Sequence, residues 1–255
     1  MRLEQVQNGK KALMIKLDFL VTGTGRCGTV YMSRLLTSLG IACGHEAIFT
    51  YKGLDAALDA MSTGKADTSF VSMHDVLRGE TQPVWFDKNS VRAESSYMAA
   101  PFVDHPSLDD TAIIHLVRNP LAVISSFVTD IHFFGDGLGN FEVFREFVLT
   151  YMADVMHLAT EIERACMYWI QWNEIIARKA KDTGKPYLVF KVESKLTDEL
   201  LAFLKVPPST RSAAFSNDKI NSWKQRETDF TLTDIPDGDI KDRLVILSEK
   251  LGYVL

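Results

Sequence analysis

The segment Phe19-Leu-Val-Thr-Gly-Thr-Gly-Arg-Cys-Gly-Thr29 is an apolar run that leads directly into a glycine-rich turn. The largely apolar residues 13–21 predict a buried strand before the turn. After the turn, apolar residues recur with the spacing of an amphipathic helix, at Met32, Leu35, Leu36 and Leu39. The turn therefore joins a strand to a helix, which is the repeating unit of an α/β fold.

This alternation of strand and helix continues along the chain. Further strands are predicted at 83–86, 112–117 and 187–192, and further helices at 55–61, 141–157, 160–181, 198–203 and 240–251. Such alternation predicts a parallel sheet covered by helices on both faces, in three layers. Because we find no internal repeat, low-complexity tract or linker, residues 1–255 are predicted to form one domain, with residues 1–11 as a flexible lead-in.

Composition and charge exclude several classes of protein. Of the 255 residues, 46% are hydrophobic and 24% are charged, which is typical of a globular domain and not of a disordered, collagen-like or coiled-coil chain. The net charge of −5 argues against nucleic-acid binding through bulk charge. The apolar runs are too short to cross a bilayer, and no secretory signal is recognisable. The three cysteines have neither zinc-ligand nor disulfide-framework spacing, so we expect a cytoplasmic protein.

The glycine-rich turn has the features of an anion-binding loop. Glycines at the start of a helix let backbone amides approach a phosphate closely. The ATP-loop pattern G-x-x-x-x-G-K-[ST] is not met, because Thr29 stands at the lysine position and Val30 at the position of the Mg²⁺-binding hydroxyl. Arg26 is the cation of the loop. We therefore expect an anion site without a metal, with a purely structural turn as the alternative.

A second motif follows the strand predicted at 112–117. Arg118 stands at the end of that strand, and Ser126 follows eight residues later in the next helix. Asn119 is a suitable helix cap, and Pro120 suits a first helical position. Arginine presents a planar fork of donors to a phosphate. Ligands of open parallel sheets bind at the carboxyl ends of the strands, so this turn and the glycine loop are expected at one edge.

Together, the two motifs resemble those of the cytosolic and Golgi sulfotransferases and their bacterial relatives. In that family an arginine or lysine followed by Ser or Cys, Gly and Thr holds the 5′-phosphosulfate of 3′-phosphoadenosine 5′-phosphosulfate (PAPS). An R-x-P turn with a serine eight residues after the arginine holds the 3′-phosphate. The resemblance implies a P-loop NTPase-like sulfotransferase fold with PAPS as donor and no metal. The implied donor-binding residues are Gly25, Arg26, Cys27, Gly28, Thr29, Val30, Arg118 and Ser126.

The resemblance also implies a general base. Cys43-Gly-His-Glu46 lies about 20 residues after Arg26 and resembles the Cys-Gly-Glu-Glu segment of tyrosylprotein sulfotransferases, in which a glutamate is the base. Glu46 is therefore the expected base, and Arg26 is expected to stabilise charge on the leaving phosphate. His45 is an alternative base or a neighbour that tunes Glu46. Glu94 is another possible acid–base group, or a member of a structural ion pair.

The tail of the chain supplies a weaker resemblance. Asn221-Ser-Trp-Lys224 is similar to the segment of the family that closes over the nucleotide, which implies donor contacts from Trp223 and Lys224. Lys219, Lys224 and Arg226 are the candidates for a further contact with the 3′-phosphate. Two departures are present: Val30 replaces a second hydroxyl residue of the phosphosulfate loop, and the R-K-G signature of the cytosolic branch is absent.

The expected activity is the transfer of a sulfuryl group from PAPS to a hydroxyl or amine of an acceptor, with a small metabolite or a glycan favoured. The expected partners are PAPS, its product 3′-phosphoadenosine 5′-phosphate (PAP) and the acceptor, without nucleic acid or a membrane span. No oligomeric state is predicted. One alternative is a P-loop nucleotide kinase or other phosphotransferase, which would need the missing lysine and hydroxyl. The other is a nucleotide-binding module without catalysis.

Overall fold

A computed structural model of the chain describes residues 15–63, 91–135, 141–194, 196–213 and 230–255. Within them lies a five-stranded sheet in the order β2-β3-β1-β4-β5, and every neighbouring pair of strands is parallel. The predicted α/β class with a parallel sheet is therefore confirmed. The strands β1 to β5 span Phe19–Gly23, Cys43–His45, Ala93–Ser95, Ala112–Val117 and Tyr187–Lys191.

Helices cover both faces of this sheet. In chain order, α1 to α7 span Thr29–Ser38, Gly53–Thr63, Pro120–Ser125, Glu142–Tyr151, Glu161–Thr183, Asp198–Phe203 and Asp239–Lys250. Helices α1 and α6 pack with one apolar cluster, which includes Phe19 and Val21 of β1. The other five helices pack with a second cluster, which includes Leu20. Alternate residues of β1 thus point to opposite faces, and the molecule has three layers.

The long helix α5 is defined by local signals at both ends. Thr160 and Glu163 form a capping box at its start, and Gly184 ends it in the left-handed conformation with a φ of 64°. Trp169 and Trp172 are fully buried, as their spacing on the apolar face predicts. This helix is therefore a central packing element on its face of the sheet.

Several predicted boundaries differ from the structure. β1 begins at Phe19, later than the predicted residue 13, and extends through Gly23, two residues beyond the predicted end, because Thr22 and Gly23 pair with β4. β2 and β3 were not predicted, since three residues are too short to show an alternating pattern. The helix predicted at 141–157 ends at Tyr151 and continues as a 3₁₀ turn from Ala153 to His157. The predicted strand at 83–86 and the lead-in at 1–11 lie outside the described residues.

The topology places two strand ends side by side. β1 and β4 are neighbours, and the helices that follow them, α1 and α3, pack on opposite faces of the sheet. Open α/β sheets bind ligands at the carboxyl edge of the sheet, at the point where two such connections diverge. The glycine-rich loop and the Arg118 turn both lie at that edge. None of the described helices is long and apolar enough to span a membrane.

Candidate functional site

The glycine-rich loop runs from the end of β1 to the start of α1 and packs closely against its neighbours. A Cβ atom on Gly23 would lie 2.0 Å from the carbonyl oxygen of Leu116 in β4. A Cβ atom on Gly28 would lie 2.7 Å from Cγ2 of Val192, and Gly28 has a φ of 104°. Both positions therefore require glycine, because a side chain there would separate the loop from β4 and from Val192, the residue after β5.

The loop is also anchored by a tyrosine of α5. The backbone N–H of Gly25 donates a hydrogen bond of 2.7 Å to the hydroxyl oxygen of Tyr168, which is fully buried. Burial raises the pKa of Tyr168 well above its ordinary value, so this hydroxyl stays neutral. Tyr168 did not emerge from the sequence as a site residue. Its position on the apolar face of a helix looked like ordinary core, and only the packing of α5 against the loop shows its role.

Cys27 has a packing role within this loop. Its side chain is fully buried, and burial raises the pKa of the Cys27 thiol to about 12, with the positive charge of Arg118 partly opposing the rise. The thiol is therefore neutral at physiological pH, and Cys27 is not a reactive nucleophile. Like Cys43 and Cys166, it is a free cysteine.

Arg118 connects the second motif to the loop. Its Nη1 donates a hydrogen bond of 2.9 Å to the backbone carbonyl oxygen of Arg26. Asn119 caps α3, since its side-chain oxygen accepts a hydrogen bond of 2.9 Å from the N–H of Leu121, and Pro120 is the first residue of the helix. The cap at Asn119 and the helix start at Pro120 are therefore as predicted, and the turn places the guanidinium group of Arg118 beside the loop.

Arg26 and Ser126 are in direct contact. Nε of Arg26 donates a hydrogen bond of 2.9 Å to Oγ of Ser126, and Arg26 itself has a left-handed φ of 66°. Oγ of Ser126 donates in turn, over 2.9 Å, to Oδ2 of Asp130. Ser126 and Asp130 belong to a π-helical turn that continues α3 from Ser126 to Ile131, a feature that is frequent at functional sites. Asp130 was not identified from the sequence.

A second group of polar side chains connects the loop to β2. Oγ1 of Thr29 lies 3.0 Å from Nε2 of His45, in hydrogen-bond contact. The same His45 nitrogen lies 3.7 Å from Oε1 of Glu46. Thr29, His45 and Glu46 therefore form a continuous polar path from the start of α1 to the expected base. Val30 follows Thr29 in α1 and adds no hydroxyl to this group.

Glu46 is a buried carboxyl group in an unusual backbone conformation. Its φ is 51°, in the left-handed region, and its N–H donates a hydrogen bond of 3.2 Å to the carbonyl oxygen of Ser95. The residue is only 8% exposed. Burial raises the pKa of Glu46 to about 8, and the nearby carboxylate of Glu94 adds to the rise. Such a pKa suits proton transfer near neutral pH.

Glu94 holds the backbone that follows Glu46. Its Oε1 accepts hydrogen bonds of 2.7 Å from the N–H of Ala47 and 2.9 Å from the N–H of Ile48. Burial raises the pKa of Glu94 to about 7, although these amide contacts oppose the rise. Its Oε2 is buried and has no hydrogen-bond partner in the described part of the chain. The ion pair considered for Glu94 is thus replaced by contacts with backbone amides.

The structure brings most of the expected site residues to one edge of the sheet. Hydrogen bonds join Arg26 to Ser126 and Arg118, and Thr29 is in contact with His45, which lies beside Glu46. Trp223 and Lys224, together with the tail candidates Lys219 and Arg226, lie outside the described residues. No cluster of three or more His, Cys, Asp or Glu side chains suited to a metal ion occurs within the ranges that the structure describes.

The chain matches no protein-family model and shows no significant similarity to a curated protein. A functional interpretation therefore rests on the side chains at the carboxyl edge of the sheet.

Proposed function

We propose that this protein is a PAPS-dependent sulfotransferase with a P-loop-like sulfotransferase fold. The observation that carries the proposal is the meeting of Arg26, Arg118 and Ser126. Arg26 is 92 positions from Arg118 and 100 positions from Ser126, yet a hydrogen bond joins it to each of them. Two guanidinium groups, a serine hydroxyl and a glycine-rich helix start therefore lie together at the carboxyl edge of the sheet. That set is suited to a ligand with two separate anionic groups.

Each of these groups would have a role in holding PAPS. The loop amides and Arg26 would bind the 5′-phosphosulfate, since backbone amides at a glycine-rich helix start bind anions. Arg118 and Ser126 would bind the 3′-phosphate, the group that distinguishes PAPS from ATP. When bound, PAPS supplies an activated sulfuryl group on a phosphate leaving group, and this chemistry needs no bridging metal.

Glu46 is the proposed general base. As the acceptor oxygen or nitrogen forms its bond to sulfur, Glu46 takes the acceptor's proton. The bond between sulfur and the bridging oxygen breaks, and Arg26 with the loop amides stabilises the negative charge left on the phosphate. His45 lies between Thr29 and Glu46 and holds the carboxyl group toward the loop. His45 remains the alternative base.

The environment of Glu46 favours an enzyme over a binding module without catalysis. Two buried carboxyl groups with raised pKa values, Glu46 and Glu94, lie next to the proposed anion site. Burying such groups lowers the stability of a fold, and groups with strongly shifted pKa values cluster at functional sites. A passive nucleotide-binding module has no use for a proton acceptor there. The kinase alternative has less support, because Thr29 and Val30 replace the lysine and the metal-binding hydroxyl.

Ligand-induced stabilisation tests the donor, and label transfer tests the reaction. We expect PAP to raise the thermal unfolding temperature more than 5′-AMP or Mg²⁺-ATP does. A ligand at 100 times its Kd stabilises by about 2.7 kcal/mol. We also expect transfer of ³⁵S from labelled PAPS to a hydroxyl or amine acceptor, in a panel of glycans and small metabolites assayed with EDTA present. A preference for Mg²⁺-ATP over PAP would contradict the proposal and favour the kinase.

A further inference from the structure

A carboxylate of the chain itself contacts the pair formed by Arg26 and Ser126. Oδ2 of Asp130 accepts the hydroxyl proton of Ser126 over 2.9 Å and lies 3.9 Å from Nη2 of Arg26. The side chains of Arg26 and Asp130 are 24% and 28% exposed, so the group is accessible from solvent. Asp130 therefore sits where the proposed function requires an anionic ligand.

The hydrogen-bond pattern makes Asp130 and a phosphate mutually exclusive at Ser126. A serine hydroxyl has one proton to donate, and here Asp130 accepts it while Nε of Arg26 donates to the same oxygen. A phosphate oxygen that accepts this proton must first displace the carboxylate. The displaced carboxylate stays nearby, because it is attached four residues along the same π-helical turn. Its charge then opposes that of the incoming phosphate.

We propose that Asp130 is an internal competitor for the 3′-phosphate and sets how strongly the site prefers 3′-phosphorylated nucleotides. The inference rests on the proposed function, because it takes Ser126 as a contact of the 3′-phosphate. It assigns Asp130 a specificity role. A carboxylate that competes in this way weakens the binding of both PAPS and its product PAP, which favours product release.

A purely structural role for Asp130 leads to the opposite result. If the carboxylate served to orient Ser126 and Arg26 for the ligand, its removal would leave both side chains less ordered and would weaken PAP binding. The sign of the change in affinity therefore separates the two roles. Binding of 5′-AMP, which lacks the 3′-phosphate, reports on the rest of the nucleotide site.

The test is isothermal titration of PAP and 5′-AMP into the wild type, Asp130→Asn and Asp130→Ala. Asp182→Asn is the matched control, because Asp182 is exposed in the last turn of α5 and its substitution removes the same charge. We expect both Asp130 variants to bind PAP about 10-fold more tightly, as removal of one nearby like charge allows, and to bind 5′-AMP within twofold of the wild type. Asp182→Asn should change neither Kd.

The outcomes separate a failure of this inference from a failure of the proposed function. Unchanged or weaker PAP binding in both Asp130 variants, with a wild type that prefers PAP, would overturn the role of Asp130 alone. A preference for PAP that appears only in the Asp130 variants would support both the competitor and the 3′-phosphate site. The absence of such a preference in the wild type and in both variants would contradict the proposed function and overturn the role of Asp130 with it. Circular dichroism confirms that each variant is folded before titration.

Discussion

Nη1 of Arg118 donates a hydrogen bond of 2.9 Å to the backbone carbonyl oxygen of Arg26, which joins the turn after β4 to the loop after β1. The contact uses one donor of a guanidinium group that has five, so Arg118 can hold the loop and a phosphate together. The helices that follow β1 and β4 pack on opposite faces of the sheet, so their turns diverge. The hydrogen bond from Arg118 joins these two turns, and the proposed mechanism depends on this connection.

Substitution of Arg118 by alanine should weaken nucleotide binding without unfolding the protein. Loss of a hydrogen bond to a charged group costs about 1.5–3 kcal/mol, which is roughly 10- to 150-fold in Kd. The preference for PAP over 5′-AMP should fall in parallel, as measured by titration calorimetry. Arg178→Ala, at an exposed position of α5, is the control and should leave both Kd values unchanged. An Arg118→Ala protein that keeps the wild-type preference would show that the 3′-phosphate binds elsewhere.

Glu46→Gln should abolish most of the turnover and leave donor binding nearly unchanged. The substitution is close to isosteric, but an amide cannot accept the acceptor's proton, and a positioned base contributes about 10²–10⁴-fold. We expect a loss of that size in kcat at saturating PAPS and acceptor, while the Kd of PAP moves little. His45→Ala is the matched variant: it should retain more activity than Glu46→Gln if His45 positions the base. The reverse order of the two variants would identify His45 as the base.

The rate of transfer should rise with pH as Glu46 loses its proton. Burial, with the charge of Glu94 adding to it, raises the pKa of Glu46 to about 8, so the ionised base becomes abundant only as the pH approaches that value. Glu94→Gln keeps an oxygen for the amides of Ala47 and Ile48 but removes the negative charge. We therefore expect this variant to move the rising limb of the kcat profile to lower pH. A rising limb at the same pH as in the wild type would mean that the charge of Glu94 does not raise the pKa of Glu46.

The stability of the protein without ligand should also depend on pH. A carboxyl whose pKa is higher in the folded state binds more protons when folded, so the free energy of unfolding falls as pH rises from the unfolded pKa to the folded one. For Glu46 this window runs from its ordinary 4.5 to about 8. Because one unit of pKa corresponds to about 1.4 kcal/mol, a fall of about 1 kcal/mol or more is expected across the window.

Urea denaturation at several pH values measures this slope, with Glu46→Gln as the comparison. The variant lacks the titrating group, so its stability should fall less steeply between about pH 5 and pH 8 than that of the wild type. Equal slopes in the two proteins would place the ionisation of Glu46 at its ordinary pKa.

Tyr168→Phe should loosen the glycine-rich loop. The substitution removes the acceptor of the Gly25 N–H and leaves a buried donor without a partner, which costs about 1–3 kcal/mol. We expect a lower free energy of unfolding in urea together with weaker PAP binding, because the loop amides lose their fixed orientation. Tyr151→Phe, at a residue of α4 that is 39% exposed, is the control and should change both quantities little. Unchanged PAP binding in Tyr168→Phe would remove Tyr168 from the donor site.

Local patterns were sufficient for the elements that carry the site. The strand and helix around the glycine turn, the cap at Asn119 and the start of α3 at Pro120 all depend on residues within a few positions of one another. Apolar periodicity, glycine and helix capping act over that range, so they can be recognised without the fold. The parallel arrangement of the strands also followed, because strand and helix alternate along the chain. The placement of Arg26 and Arg118 at one edge was predicted for the same reason.

The partners of the site residues were decided by the tertiary structure alone. Tyr168 contacts Gly25 across 143 positions, and Glu94 contacts Ala47 across 47. Neither contact leaves a local pattern, because a buried tyrosine or glutamate acquires its partner only when separate elements pack together. The burial that raises the pKa of Glu46 arises in the same way. Local sequence thus accounts for the turns and charges at the edge of the sheet, whereas long-range packing selects which donors, acceptors and carboxylates contact each other there.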